Sequence, residues 1–174
     1  MTGQGGNREI SDSDSLLRLL NEHGVDYVVV GGLAALAHGS SLPTFDLDVA
    51  YARDPGNLER LARVLQHLDV KLTNAPADLP FQVDAATLAN GSNFTFDTPH
   101  GRFDILGHTA GVSSYDDLRQ RSERGNVDGI EAQIASIDHM IAMKRAANRP
   151  KDQLMLEELI VIADEQRRLE EEGG

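Results

Sequence analysis

The chain has no cysteine, which excludes a disulfide framework and any thiolate metal site. It has no apolar run of about 18 residues, so no segment is expected to span a membrane. It is poor in cations: 16 Lys and Arg stand against 28 Asp and Glu, a net charge of −12. That balance works against broad, nonspecific nucleic-acid binding, which depends on neutralising phosphates. It leaves room for a local basic site, and an acidic surface suits a basic protein partner. Paired His/carboxylate spacings of the zinc-enzyme type are missing, as are GxSxG and serine–histidine signatures. The opening MTGQGGNREISDSDS lacks an apolar signal core, so residues 1–13 are expected to form a disordered leader and the protein to be cytoplasmic. No internal repeat and no linker marks a second domain. A chain of 174 residues is expected to form one domain, over 14–169, burying roughly 70% of its unfolded surface.

What is present concentrates in residues 31–49, GGLAALAHGSSLPTFDLDV. The Gly31-Gly32 pair ends an apolar strand expected over Val25–Val30, and a short helix is expected over Leu33–His38. A second strand, Phe45–Tyr51, then carries Asp46 and Asp48. Side chains alternate along a strand, so Thr44, Asp46 and Asp48 share one face and Phe45, Leu47, Val49 and Tyr51 the other. The two acids then lie roughly 6.6 Å apart and, at an effective dielectric near 20, repel by roughly 2.5 kcal/mol. A cation between them explains the arrangement; a solvated face of an antiparallel sheet is the plainer alternative. The glycines have two readings as well, a tight turn or a close backbone approach to a phosphate.

The remaining elements are punctuated by their caps. Ser13-Asp14-Ser15 is expected to cap a helix through Leu16–Leu20 that Gly24 ends. Asp54-Pro55 opens a helix to about Leu68. Residues 74–80 read as loop and Asp84–Asn90 as a helical turn. Phe94–Asp97 and Gly101–Leu106 read as a hairpin. A polar helix is expected over Tyr115–Arg121 and a last strand over Ile130–Ala135. Ser136 caps a helix over Ile137–Ala147, Pro150 interrupts, and a final helix runs to about Leu169, with 170–174 frayed.

Two later segments add to the acid pair. In the hairpin's second strand Phe103 and Ile105 point one way, Arg102 and Asp104 the other. If that strand neighbours Phe45–Tyr51, Asp104 joins Asp46 and Asp48, and three hard oxygen donors suit Mg²⁺ or Mn²⁺. In the helix from Ile137, Lys144 falls on the apolar stripe of Ile137, Met140 and Ile141. Asp152 falls on the stripe of Leu156, Leu159, Ile160 and Ala163. Either the two form a structural ion pair, or Lys144 snorkels to solvent, or Lys144 reaches nucleotide phosphates while Asp152 orients it or the acceptor. Arg145, Arg149 and Lys151 make a small basic cluster that also fits ordinary helix-end cations. Ser40 and Ser41 either touch phosphate or make the turn; His38 and His100 are weaker candidates.

These residues together resemble the polymerase-β-like nucleotidyltransferase superfamily: Val30-Gly31-Gly32, a helix, then Asp46-Leu47-Asp48, with Asp104 as the later acid. GGLAALAHG, Thr44 before the acid pair, and SIDHMIAMKRAANRPKDQLMLEEL resemble more closely the toxin-type nucleotidyltransferases of the AbiEii/MenT group. The likeness covers most of residues 25–160; Leu42-Pro43 occupy a stretch where relatives often carry a basic residue. The resemblance implies an α/β fold, a mixed sheet flanked by helices. The catalytic sheet is expected over about 25–110 and C-terminal helices over about 111–169, closing a cleft. It implies metal-dependent transfer of a nucleoside monophosphate from an NTP, with tRNA as acceptor in related toxins and a cognate antitoxin as partner. Asp46 and Asp48 are then metal carboxylates, and Asp104 either completes the metal site or acts as base toward the acceptor hydroxyl. Lys144 and Asp152 complete the catalytic set, and Gly31, Gly32, Ser40, Ser41, Thr44, Lys144 and Lys151 contact the nucleotide. Transfer to a small molecule or a protein hydroxyl is the alternative within catalysis. A nucleotide-binding module without turnover is the alternative outside it.

Overall fold

The structure, a computed structural model, describes residues 12–44 and 46–174. The expected leader falls mainly on residues 1–11 and so lies outside the described residues, as does Phe45. In chain order the elements are α1 (Ser13–Glu22), β1 (Tyr27–Val30), α2 (Gly31–Ala37), β2 (Leu47–Tyr51), α3 (Pro55–Leu68) and β3 (Lys71–Leu72). There follow α4 (Ala85–Asn90), β4 (Asn93–Thr98), β5 (Gly101–Leu106), α5 (Tyr115–Arg121), β6 (Glu123–Val127), β7 (Ile130–Ile134), α6 (Ile137–Ala147) and α7 (Gln153–Gly173). A single 3-10 turn, Pro150–Asp152, joins the last two helices.

The strands form one mixed sheet in the order β3-β4-β5-β2-β1-β7-β6, parallel at β2–β5 and β1–β7 and antiparallel elsewhere. Alternation decides its faces. Leu47, Val49 and Tyr51 on β2, Phe103 and Ile105 on β5 and Phe96 on β4 are fully buried. The carboxylates on the opposite face are half-buried. The apolar helix stripes are buried too: Leu58, Leu61 and Leu65 of α3, Met140 and Ile141 of α6, and Leu159 and Ala163 of α7. Helix α3 contacts both α1 and α4, and α6 contacts both α7 and α2.

Local chemistry accounts for most boundaries. The Asp54 carboxylate accepts from the Asn57 N–H, and Pro55 occupies the first turn of α3, where its missing donor costs nothing. Ser136 caps α6 by accepting from the His139 N–H. Gly24 follows α1 at φ +68°, a conformation glycine adopts without strain. The expected Ser13-Asp14-Ser15 cap is corrected: α1 begins at Ser13, because the buried Ser13 hydroxyl donates to Asp128 in the β6–β7 turn instead of capping its own helix. Helix α2 starts at the Gly pair itself, two residues before the expected Leu33. Two strands were not expected. The short edge strand β3 pairs with β4. Strand β6 pairs with β7 through Asp128-Gly129, both at positive φ (50° and 82°), a two-residue hairpin turn. Helix α7 continues past Leu169 to Gly173, with Arg168 pairing Glu172 one turn on.

Candidate active site

Four strands bring one row of residues together. Val30 at the end of β1 is the register partner of Asp48 on β2, Asp48 that of Asp104 on β5, and Asp104 that of Thr95 on β4. Register partners point to the same face, so Asp48 and Asp104 stand side by side. Asp46 lies one step outward on the same face, just before β2. Asp48, Asp104 and Thr95 of this row line a cavity of about 660 Å³. The sheet wall of this cavity includes Asp46, Asp48, Asp104 and Arg102; the wall opposite is built by Lys144, Arg149, Lys151 and Asp152 from the α6–α7 junction.

The Gly pair now has a geometric reason. A Cβ on Gly31 would fall 2.0 Å from Asp48 Oδ2, and Gly31 sits at φ +69°. A Cβ on Gly32 would fall 2.5 Å from Thr44 Oγ1. Both glycines are therefore required for the approach of Asp48 and Thr44, whatever else they bind. Gly32 and Thr44 line the cavity, while Gly31 lies beneath Asp48.

Electrostatically the acids are under stress. Burial, then contact with the Asp104 carboxylate and repulsion by Asp104 and Asp46, push the Asp48 carboxyl up to about 8, with Lys144 opposing. Burial also raises Asp46; Arg102 lowers it and Asp104 adds to the rise. Asp48 Oδ1 and Asp104 Oδ1 are buried with no hydrogen-bond partner. Such oxygens are costly unless something satisfies them. Hard carboxylate oxygens without soft or imidazole neighbours fit Mg²⁺ or Mn²⁺. Among the described residues no three carboxylates or histidines are gathered into a ready-made metal cage. The arrangement is two adjacent buried oxygens with the less buried Asp46 beside them.

The opposite wall is an ion triad. Asp152, 6% exposed, accepts from Lys144 Nζ at 3.0 Å and from Arg149 Nε and Nη2 at 2.5 and 3.2 Å. Burial would raise the Asp152 carboxyl, but these hydrogen bonds and charges outweigh it and hold it below its usual value. The Lys144–Asp152 ion pair is thus formed, and both residues line the same cavity as the acids. Lys151 also lines the cavity.

Other candidates lie elsewhere. Ser40 Oγ accepts from the Leu42 N–H, and the Ser41 N–H and hydroxyl both donate to Glu158 of α7, so neither serine lines the cavity. His38 Nε2 donates to the Ala135 carbonyl at 2.7 Å, and His100 faces Asp12 at 3.4 Å. Sequence reasoning placed Arg102 on the acid face without assigning it, and passed over Asn93 and Thr95 on β4, all of which line the cavity. Strand alternation was the signal available for them.

No protein-family profile matches the chain, and no curated protein matches it by sequence. Solved structures do. A lincosamide antibiotic adenylyltransferase, LnuA, crystallised with lincomycin, superposes with a TM-score of 0.59 at 12% identity, covering 87% of this chain and 96% of that one. The antibiotic-resistance factor ANT(2'')-Ia gives 0.54 at 13% identity, covering 93% and 94%. An antigenic nucleotidyltransferase-like protein from Paracoccidioides brasiliensis gives 0.50 at 14% identity, covering 89% and 76%. The likeness establishes the fold: the mixed sheet and its helices are arranged as in these solved structures.

Proposed function

We propose that this chain is a nucleotidyltransferase, moving the nucleoside monophosphate of an NTP to a hydroxyl acceptor. The observation that carries this reading is the Asp48–Asp104 pair, with two unsatisfied buried oxygens, facing Lys144 across one cleft. Asp46, Asp48 and Asp104 would hold a divalent metal, which supplies neutralisation of the triphosphate and of the leaving pyrophosphate. Lys144 adds positive charge beside the phosphates, where stabilisation of developing charge gives most of the rate in phosphoryl-type transfer. Asp152 fixes Lys144 by hydrogen bond. Gly31 and Gly32 set the height of the nucleotide wall, and Thr44 and Lys151 contact the nucleotide from the cavity lining. Ser40 and Ser41 reach a phosphate only if the Glu158 contact opens. In the reaction the acceptor oxygen bonds to the α-phosphorus and the bond to pyrophosphate oxygen breaks in line. The acceptor proton passes to Asp104.

The acceptor has two readings. The likeness of residues 136–159 to the AbiEii/MenT group supports a toxin role, with tRNA as acceptor and an antitoxin as partner. The charge distribution favours the other, a small hydroxyl-bearing acceptor. The chain carries −12 overall, and in the cavity lining the cations Arg102, Lys144, Arg149 and Lys151 are matched by the carboxylates of Asp46, Asp48, Asp104 and Asp152. A long polyanion gains little there. Incubation with each NTP labelled in the α-phosphate, together with total tRNA or a small-molecule extract, decides between them by where the label appears. No transfer to any acceptor, with Mg²⁺ or Mn²⁺ present, overturns the enzymatic reading in favour of a binding module.

A further inference from the structure

We infer that Arg102 is a resident counter-cation of the carboxylate row, one that an incoming divalent metal must displace, and that it thereby sets the metal affinity of the site. This rests on the reading of Asp46, Asp48 and Asp104 as metal ligands. Arg102 lies two residues before Asp104 on β5, hence on the same face, and lines the cavity. Its Nε stands 3.7 Å from Asp104 Oδ1, inside ion-pair range and outside hydrogen-bonding range. That oxygen is the buried one left without a hydrogen-bond partner. Asp97, the register partner of Arg102 across the hairpin, accepts a hydrogen bond from the Thr73 hydroxyl at 3.0 Å, and among the described residues it forms no ion pair with Arg102. Among the described residues the Arg102 guanidinium makes no hydrogen bond, whereas Lys144 and Arg149 are both hydrogen-bonded to Asp152. Charge alone therefore holds Arg102 in place, and its side chain is 48% exposed.

The consequence is competition for one oxygen. While the site is empty, Arg102 offsets the mutual repulsion of the acids. A divalent cation drawn to Asp104 repels the guanidinium, which loses no hydrogen bond by swinging into solvent from a side chain already 48% exposed. Metal binding alone is weakened by that repulsion. An NTP, bringing its own negative charge, offsets the penalty, so the metal is best held when nucleotide is present. Arg102 acts here through the carboxylates and is a positioning residue.

The test is Mn²⁺ titration of the full chain, without nucleotide, by calorimetry or electron paramagnetic resonance at low ionic strength. Arg102→Gln should bind Mn²⁺ roughly three- to tenfold more tightly than wild type, as expected for removing one partly solvated charge near a divalent ion. The gap should narrow in high salt. Arg102→Lys, which keeps the charge, should match wild type, and thermal melts should show all three folded. Equal or weaker binding by Arg102→Gln, with wild type binding normally, overturns the role of Arg102 alone. Absence of Mn²⁺ binding in wild type and Arg102→Gln alike overturns the carboxylate reading, and this inference with it.

Discussion

Asp48 makes the protein sensitive to pH in an unusual direction. Its carboxyl is raised from 3.8 to about 8 in the folded chain, so between those values the folded state binds a proton that the unfolded state releases. The associated stability is complete below about pH 4 and is lost as pH rises through about 8. Metal-free protein should therefore melt at falling temperature across this window. Asp48→Asn should flatten the slope, as differential scanning calorimetry in chelator would show. The same substitution should cut label transfer by roughly 10³-fold or more if Asp48 supports charge in the transition state. Undiminished transfer would remove Asp48 from the chemistry. Gly31→Ala places a Cβ 2.0 Å from Asp48 Oδ2 at a backbone φ of +69°. It should cost about 1–3 kcal/mol by denaturant unfolding and displace the carboxylate. At this scale the acids, glycines and Lys144 were legible in the sequence because alternation and helical spacing give a side chain's face. The value of Arg102 was not, since it depends on which neighbours have already spent their hydrogen bonds.

Elements marked by a cap or by an apolar strand pattern were readable, and the two strands with neither, β3 and β6, were not. Helix α3, from Asp54-Pro55, and α6, from Ser136, start where the capping side chains predict. Ser136→Ala should cost about 1 kcal/mol in chemical denaturation. Strand β6 reads Glu-Arg-Gly-Asn-Val, with no apolar alternation. It exists because Asp128-Gly129 folds it onto β7, a turn signal present in the sequence and overlooked. Strand β3 is two residues long and has no local signature. Ser13 shows the opposite failure, a good cap residue recruited by a distant partner, Asp128. The junction of α6 and α7 is held by Asp152, nearly buried between Lys144 and Arg149. Asp152→Ala should destabilise by about 3 kcal/mol, because it leaves Lys144 partly buried without its partner. If melting shows no loss, the triad contributes little to stability and its role lies at the site.

Across the whole molecule, charge and topology pull in different directions. The fold class was legible because each strand facing the core alternates and each helix carries a stripe, while strand order depends on contacts far apart in sequence. With a net charge of −12, the chain should bind total tRNA weakly in gel-shift titrations at moderate salt. Strong binding with a steep salt dependence would restore the polyanionic acceptor. Topology has a different consequence, one of mutational tolerance. Val30, Asp48, Asp104 and Thr95 form one rung across four strands, so the carboxylate wall of the candidate site is assembled by backbone pairing. A single deletion within β2 or β5 turns every following side chain to the other face and erases the rung. Lengthening the exposed 76–80 loop leaves it untouched, since loop closure grows only slowly with length. That carboxylate wall is thus brittle along its strands and indifferent to the length of the 76–80 connection. New substrate-facing loops could be grafted onto this sheet without rebuilding the chemistry beneath them.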